Sequence, residues 1–195
     1  VILRQLEAEN GRLREELASR DEFIRGFMGS YVTSEVAERI FSQGDGYAVG
    51  GERRVVTMMF TDLRRSTELS ESMDPADYIR LLNHYFGDMI MIVDSWQGNI
   101  LSFVGDAIVA VFGAPRENEA ATRNAVYSAV AMQRRMEAVN DWNASQGYPR
   151  IRMGVGIHRG EAILGTIGSQ VRMKYDMIGR NVNLASRIEG FTSGG

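Results

Sequence analysis

Apolar positions recur at heptad spacing along residues 1–28. With Leu3 at an a position, Leu3, Asn10, Leu17 and Ile24 share that row, and Leu6, Leu13, Arg20 and Phe27 occupy d. Six of these eight are apolar, which predicts a parallel dimeric coiled-coil helix. A buried Asn at a, here Asn10, fixes register in such a pair. The flanking charges are mixed: Glu9 at g meets Arg14 at e of a partner, whereas Glu16 meets Asp21. The other reading is a single amphipathic helix packed on its own domain. A short transducer helix, about 33–42, and a glycine-rich linker complete residues 29–52.

From Arg53 the pattern becomes that of a packed domain spanning 53–195. "RRVVTMMFTD" reads as a buried strand ending at Asp62. A helix starts at Pro75, a favoured first-turn residue, and stops at Gly98. "NILSF" and "AIVAVFG" read as strands joined through Val104, Gly105 and Asp106. A long helix ends at Gly147. "RIRMGVGIHRG", "EAILGTIG" and "RMKYDMIG" read as three further strands, and "RNVNLASRIEG" as the last helix. Met58, Met59, Met89 and Met91 are expected in the core. Trp96, Trp142, His84 and His158 are expected to be structural.

The fold class is α+β, with a βαββαβ ferredoxin-like core. The crossover through a helix makes the first two strands parallel, and the third lies between them, antiparallel to both. The end of the first strand then sits beside the start of the third. Asp62 is at one of these places and Asp106 at the other. Two adjacent carboxylates repel, so one must take a proton or a cation must join them. Hard dications such as Mg²⁺ use one or two carboxylates plus substrate phosphates. The plainer alternative makes Asp106 a turn residue beside Gly105.

The net charge of −3 leaves no basic footprint for nucleic acid. With no cysteine there is neither a disulfide nor a thiolate metal site. No apolar run approaches the ~20 residues that span a bilayer, and no signal peptide is evident. The chain opens at Val1 and stops at "FTSGG", so it is expected to be part of a longer protein whose catalytic domain continues.

"VVTMMFTDLRRSTELSE", "FVGDAIVAVFGAP", "GVGIHRGEAILGTIGS" and "YDMIGRNVNLASR" together resemble the catalytic domain of the class III nucleotidyl cyclases, of the bacterial adenylyl cyclase type. The preceding "FMGSYVTSEVAERIF" is similar to the segment that transmits signals into such domains. The resemblance implies that Asp62, Asp106 and the Leu63 carbonyl hold two Mg²⁺ ions per site, with Mn²⁺ able to substitute. It implies that the turn formed by Leu63, Arg64, Arg65, Ser66 and Thr67 binds the triphosphate. Family members often carry glycine where this chain has Arg65. Asn183 and Arg187, four apart on one helix face, are implied to orient the ribose and to stabilise charge on the α-phosphate. The alternative for Arg187 is a surface ion pair with Glu189 or a neighbour. Asp176 is implied to read the base, and the alternative is a solvated strand-end carboxylate.

The chain departs from the family at Ser102, where the base-reading lysine usually precedes the F-V-G-D run. Serine brings one hydrogen bond and no charge. The implied activity is conversion of ATP to cyclic AMP and pyrophosphate in a signalling pathway, with GTP as the alternative substrate and a catalytically silent regulatory dimer as a further one. The implied partners are a second copy of the chain, met through the coiled coil and the catalytic domain, and an upstream sensor domain. The implied location is the cytoplasm, including the cytoplasmic part of a membrane-anchored sensor protein.

Overall fold

The structure, a computed structural model, describes residues 9, 11–20, 50–169 and 172–194. The chain divides into two compact units, residues 1–46 and 47–195. In the first, residues 11–20 are helical, and Glu16 pairs with Arg20 at 3.2 Å. Leu13 and Leu17, expected at d and a, are exposed there. The other expected heptad positions except Arg20, the transducer helix and all of the linker before Gly50 lie outside the described residues.

The second unit runs β1 (Gly50–Leu63), α1 (Ser66–Ser72), α2 (Pro75–Ser95), β2 (Gly98–Val104), β3 (Ala107–Phe112), α3 (Ala121–Ser145), β4 (Met153–Ser169), β5 (Arg172–Ile178) and α4 (Arg180–Gly190). Asp74 caps α2, accepting the Ala76 N–H at 2.9 Å, and Pro75 follows in the first turn. The sheet order is β2-β3-β1-β4-β5, and every neighbouring pair is antiparallel. β3 therefore lies between β1 and β2, which run the same way, as the βαββαβ reading predicts. β1 begins at Gly50, three residues before the expected Arg53.

β1 is covered on both faces. Met59 and Leu63 point to one side, where they pack with Leu81, Tyr85, Met89 and Val93 of α2 and with Ala125, Met132, Met136 and Val139 of α3. The four-residue spacing on α2 is the apolar stripe of an amphipathic helix. Val56 and Met58 point to the other side, where α4 lies against β4 and β1. Met58, Met59 and Met89 are buried as expected, but Met91 is exposed, on the outer side of α2. His84 stacks on Trp142 with ring centres 3.9 Å apart, and His158 lies 3.3 Å from Asn181 Oδ1.

One expectation fails. The two strands expected over 150–160 and 161–168 are a single strand, β4, seventeen residues from Met153 to Ser169. Arg159, Gly160 and Glu161 look like a turn in sequence, yet they pair straight across to Thr57, Val56 and Val55. Gly160 is needed for close packing instead: a Cβ there would come within 2.7 Å of the Asn181 side chain. His158 accordingly sits within β4 and not at a strand end.

Candidate active site

Asp62 is the penultimate residue of β1, and Asp106 stands just before β3. The antiparallel register, with Thr61 opposite Ile108, brings the two together. Asp106 Oδ2 accepts the Leu63 N–H at 2.8 Å. Burial first, and then Asp106 as a hydrogen-bond partner and a like charge, push Asp62 up to about 6. Glu189 adds to the rise and Arg64 opposes it. The phenol of Tyr78 is also pushed up, by burial and then by the charges of Asp106 and Asp62.

This pair has negative charge in excess. Its donors are oxygens only: two carboxylates, with the Leu63 carbonyl beside them in the chain. That donor set fits a hard dication, which would supply the missing positive charge. Among the described residues no group of three or more acidic or imidazole side chains is placed to hold a metal ion.

The turn after Asp62 is only partly free for a phosphate. Arg64 folds back toward the end of α4: its Nη2 donates to the Glu189 main-chain oxygen at 3.0 Å and to Thr192 Oγ1 at 2.6 Å, and pairs with Glu189 Oε1. Arg65 takes the left-handed conformation, φ 63°, directly before α1, and its side chain pairs with Glu68 at 2.6 Å. A left-handed backbone suits glycine better than arginine. Ser66 and Thr67 open α1.

The remaining candidates stand elsewhere. Asp176, on β5, receives Lys174 Nζ at 2.7 Å and the Met177 N–H at 2.9 Å. Ser102 lies on β2 opposite Val109, just past a bulge that leaves Leu101 without a partner in the ladder. Asn183 and Arg187 are both exposed on α4. Ala185 and Glu189 form the buried stripe of that helix. At about 100° per residue, Arg187 lies roughly 200° around the axis from Glu189, on the outer side. Arg187 is not paired with Glu189, because Glu189 faces the sheet and holds Arg64.

Asp62 and Asp176 are thus far apart in one chain. Asp62 sits opposite Gly154 and Asp176 opposite Gly165, eleven residues along β4, which is about 36 Å of extended strand. Sequence reasoning named Asp62, Asp106, Asp176, Asn183 and Arg187 as candidates but missed Tyr78 and the Arg64–Glu189 pair. Glu189 has one legible signal, four residues past Ala185 on the apolar stripe of α4; Tyr78 has none.

The family model described as adenylate and guanylate cyclase catalytic domain matches residues 50–195. An adenylate cyclase of Anabaena cylindrica is 35% identical over 192 residues, 96% of this chain and 36% of the relative. The chain thus spans about a third of that curated relative's length. The crystal structure of the guanylyl cyclase Cya2 superposes with a TM-score of 0.73 at 40% identity, over 74% of each chain. That of the adenylyl cyclase CyaB from P. aeruginosa gives 0.72 at 35% identity, over 74% of this chain and 75% of the other. With the family model matching three quarters of the chain and a relative 35% identical over nearly all of it, this protein belongs to the adenylate and guanylate cyclase catalytic domain family.

Proposed function

We propose that the chain is the catalytic part of an adenylyl cyclase that turns ATP into 3′,5′-cyclic AMP and pyrophosphate at a homodimer interface. The observation that carries this is the meeting of Asp62 and Asp106 at the end of β1. In the reaction the ribose 3′-oxygen bonds to the α-phosphorus, the bond from that phosphorus to the β-phosphate bridge breaks, and pyrophosphate leaves. The 3′-hydroxyl proton goes to Asp62, to water or to the substrate itself.

Asp62, Asp106 and the Leu63 carbonyl would hold two Mg²⁺ ions, or Mn²⁺ in their place. When bound, these ions neutralise phosphate charge and polarise the reacting oxygens. Asp106 is fixed to the Leu63 N–H, which sets its orientation before substrate arrives. Asn183 would orient the ribose, and Arg187 would donate to the α-phosphate oxygens as charge grows there. Asp176 would accept from the adenine amine. The helical turn opened by Ser66 and Thr67, with Arg65, would take the terminal phosphates.

Asn183 and Arg187 face away from the side of α4 that seats Glu189, which supports a site completed by a second chain. Asp62 and Asp106 from one protomer would meet Asp176, Asn183 and Arg187 from its partner, giving two equivalent sites in a symmetric dimer. The coiled coil would join the protomers and relay the state of an upstream sensor domain. With ATP as substrate, this part of the protein would work in the cytoplasm, either free or as the cytoplasmic part of a membrane-anchored sensor protein.

Ser102 favours a second reading, a guanylyl cyclase, since no lysine stands at that position to read adenine. Incubating the whole protein with ATP or GTP, each with Mg²⁺ or Mn²⁺, decides between them. Cyclic AMP supports the adenylyl reading, and cyclic GMP alone supports the other. Neither product supports a silent regulatory dimer.

A further inference from the structure

Arg64 lies between the carboxylate pair and the end of α4. On one side its Nη1 stands 3.7 Å from Asp62 Oδ2. On the other its Nη2 is seated against Glu189 and Thr192, and its own N–H donates to the Arg152 carbonyl at 2.8 Å. The Arg64 side chain is 19% exposed and that of Glu189 only 9%. Two glycines of β4 make the room. A Cβ on Gly154 would overlap the Arg64 guanidinium, and one on Gly156 would come within 2.6 Å of the Glu189 Cα. Arg64 Nε is buried with no partner among the described residues, so the guanidinium is not fully satisfied where it sits.

One guanidinium is therefore shared between two carboxylates with different fates. A dication joining Asp62 and Asp106 takes over the charge of Asp62 and repels Arg64. Glu189 keeps its charge and lies on the far side of the guanidinium. The attraction between opposite charges at this range is strong where water is scarce. A bound cation would shift Arg64 from a shared partner to one held by Glu189 alone. Glu189 is on the helix that carries Asn183 and Arg187.

We propose that Arg64 is a positioning residue that couples cation occupancy of the Asp62–Asp106 pair to the placement of α4, through Glu189. This rests on the cation-binding reading given above. In a dimer whose sites are shared between chains, the cation in one site would thereby set the ribose and phosphate donors of the other.

The test uses Mn²⁺ alone, without nucleotide, on the whole protein. Binding is followed by electron paramagnetic resonance, and the α4 amides by hydrogen exchange. In the parent chain, exchange across residues 185–190 should slow by about fivefold, the low end of ordinary site-to-site coupling, and at the Mn²⁺ concentration that half-fills the site. Glu189→Gln keeps the side-chain shape and should still bind Mn²⁺, but its α4 exchange should no longer respond. Parent protein that binds Mn²⁺ with no change in α4 overturns the coupling and leaves the cation site standing. So does a Glu189→Gln variant whose α4 still responds. Parent protein that binds no Mn²⁺ overturns both.

Discussion

Asp106 accepts the Leu63 main-chain N–H at 2.8 Å, so the second carboxylate of the site is tied to the strand that carries the first. Burial first, and then Asp106 as a hydrogen-bond partner and a like charge, push Asp62 up to about 6. Cation binding requires Asp62 to lose its proton. Mn²⁺ affinity should be level above pH 6 and fall about tenfold per unit below it. A titration by electron paramagnetic resonance reads this directly, and constant affinity down to pH 5 would contradict it.

The same group sets a stability trend in cation-free protein. Unfolded, Asp62 releases its proton near 3.8; folded, near 6. Between these values the folded chain holds the extra proton, so the contribution of this group is full below pH 3.8 and lost as pH rises through 6. Asp62→Asn should flatten that part of the pH dependence of the melting temperature, and Mn²⁺, which binds the ionised carboxylate, should make the melting temperature rise rather than fall as pH goes from about 4 to about 6.

Gly156 and Gly190 lie at the same helix yet should respond oppositely to alanine. A Cβ at Gly156 runs into the Glu189 main chain, which can yield only if α4 moves. Gly156→Ala should cost about 2–3 kcal/mol, the range of core overpacking. A Cβ at Gly190 meets nothing within 4 Å, so Gly190→Ala should be neutral or slightly stabilising. Urea unfolding of the two variants provides the comparison.

Glycines also mark where the sequence was hard to read. Hydrophobic alternation and helix caps reveal β1, α2, β3 and α3, because each rule acts within a few residues. The approach of Asp62 to Asp106 was legible too, since it follows from strand order alone. Gly160 was misread because a glycine that admits a neighbouring side chain and one that makes a turn look alike in sequence. The Arg64–Glu189 pair joins residues far apart in the chain, on β1's end and α4, and no local pattern announces it. Met91 was assigned to the core by residue type, but it falls on the outer side of α2, where helical phase overrides composition.

Arg65 holds a left-handed backbone that costs a non-glycine residue free energy. Its ion pair with Glu68 is exposed at both ends and returns little. Arg65→Gly should raise the melting temperature by about 2 °C, measured by circular dichroism. If Arg65 contacts the triphosphate, the same change should raise the KM for nucleotide while leaving cation binding as it was.

The division of the site between protomers has a quantitative consequence. Asp62→Ala removes the cation half of both sites in a homodimer, and Arg187→Ala removes the phosphate half of both; each variant alone should lose nearly all turnover. In a mixed dimer one site receives both lesions and the other neither. Random mixing makes half the dimers mixed, each with one intact site of two, so about a quarter of parental turnover should return when the variants are unfolded and refolded together. Mixing Asp62→Ala with Asp106→Ala should restore nothing, since both lesions lie in the same half and every site lacks a carboxylate. Recovery in the first mixture without recovery in the second separates a shared site from simple stabilisation of one variant by another. If neither mixture recovers while each variant still dimerises by sedimentation, the carboxylates and Arg187 act within one chain, and α4 must turn its outer face toward the sheet edge to let them meet.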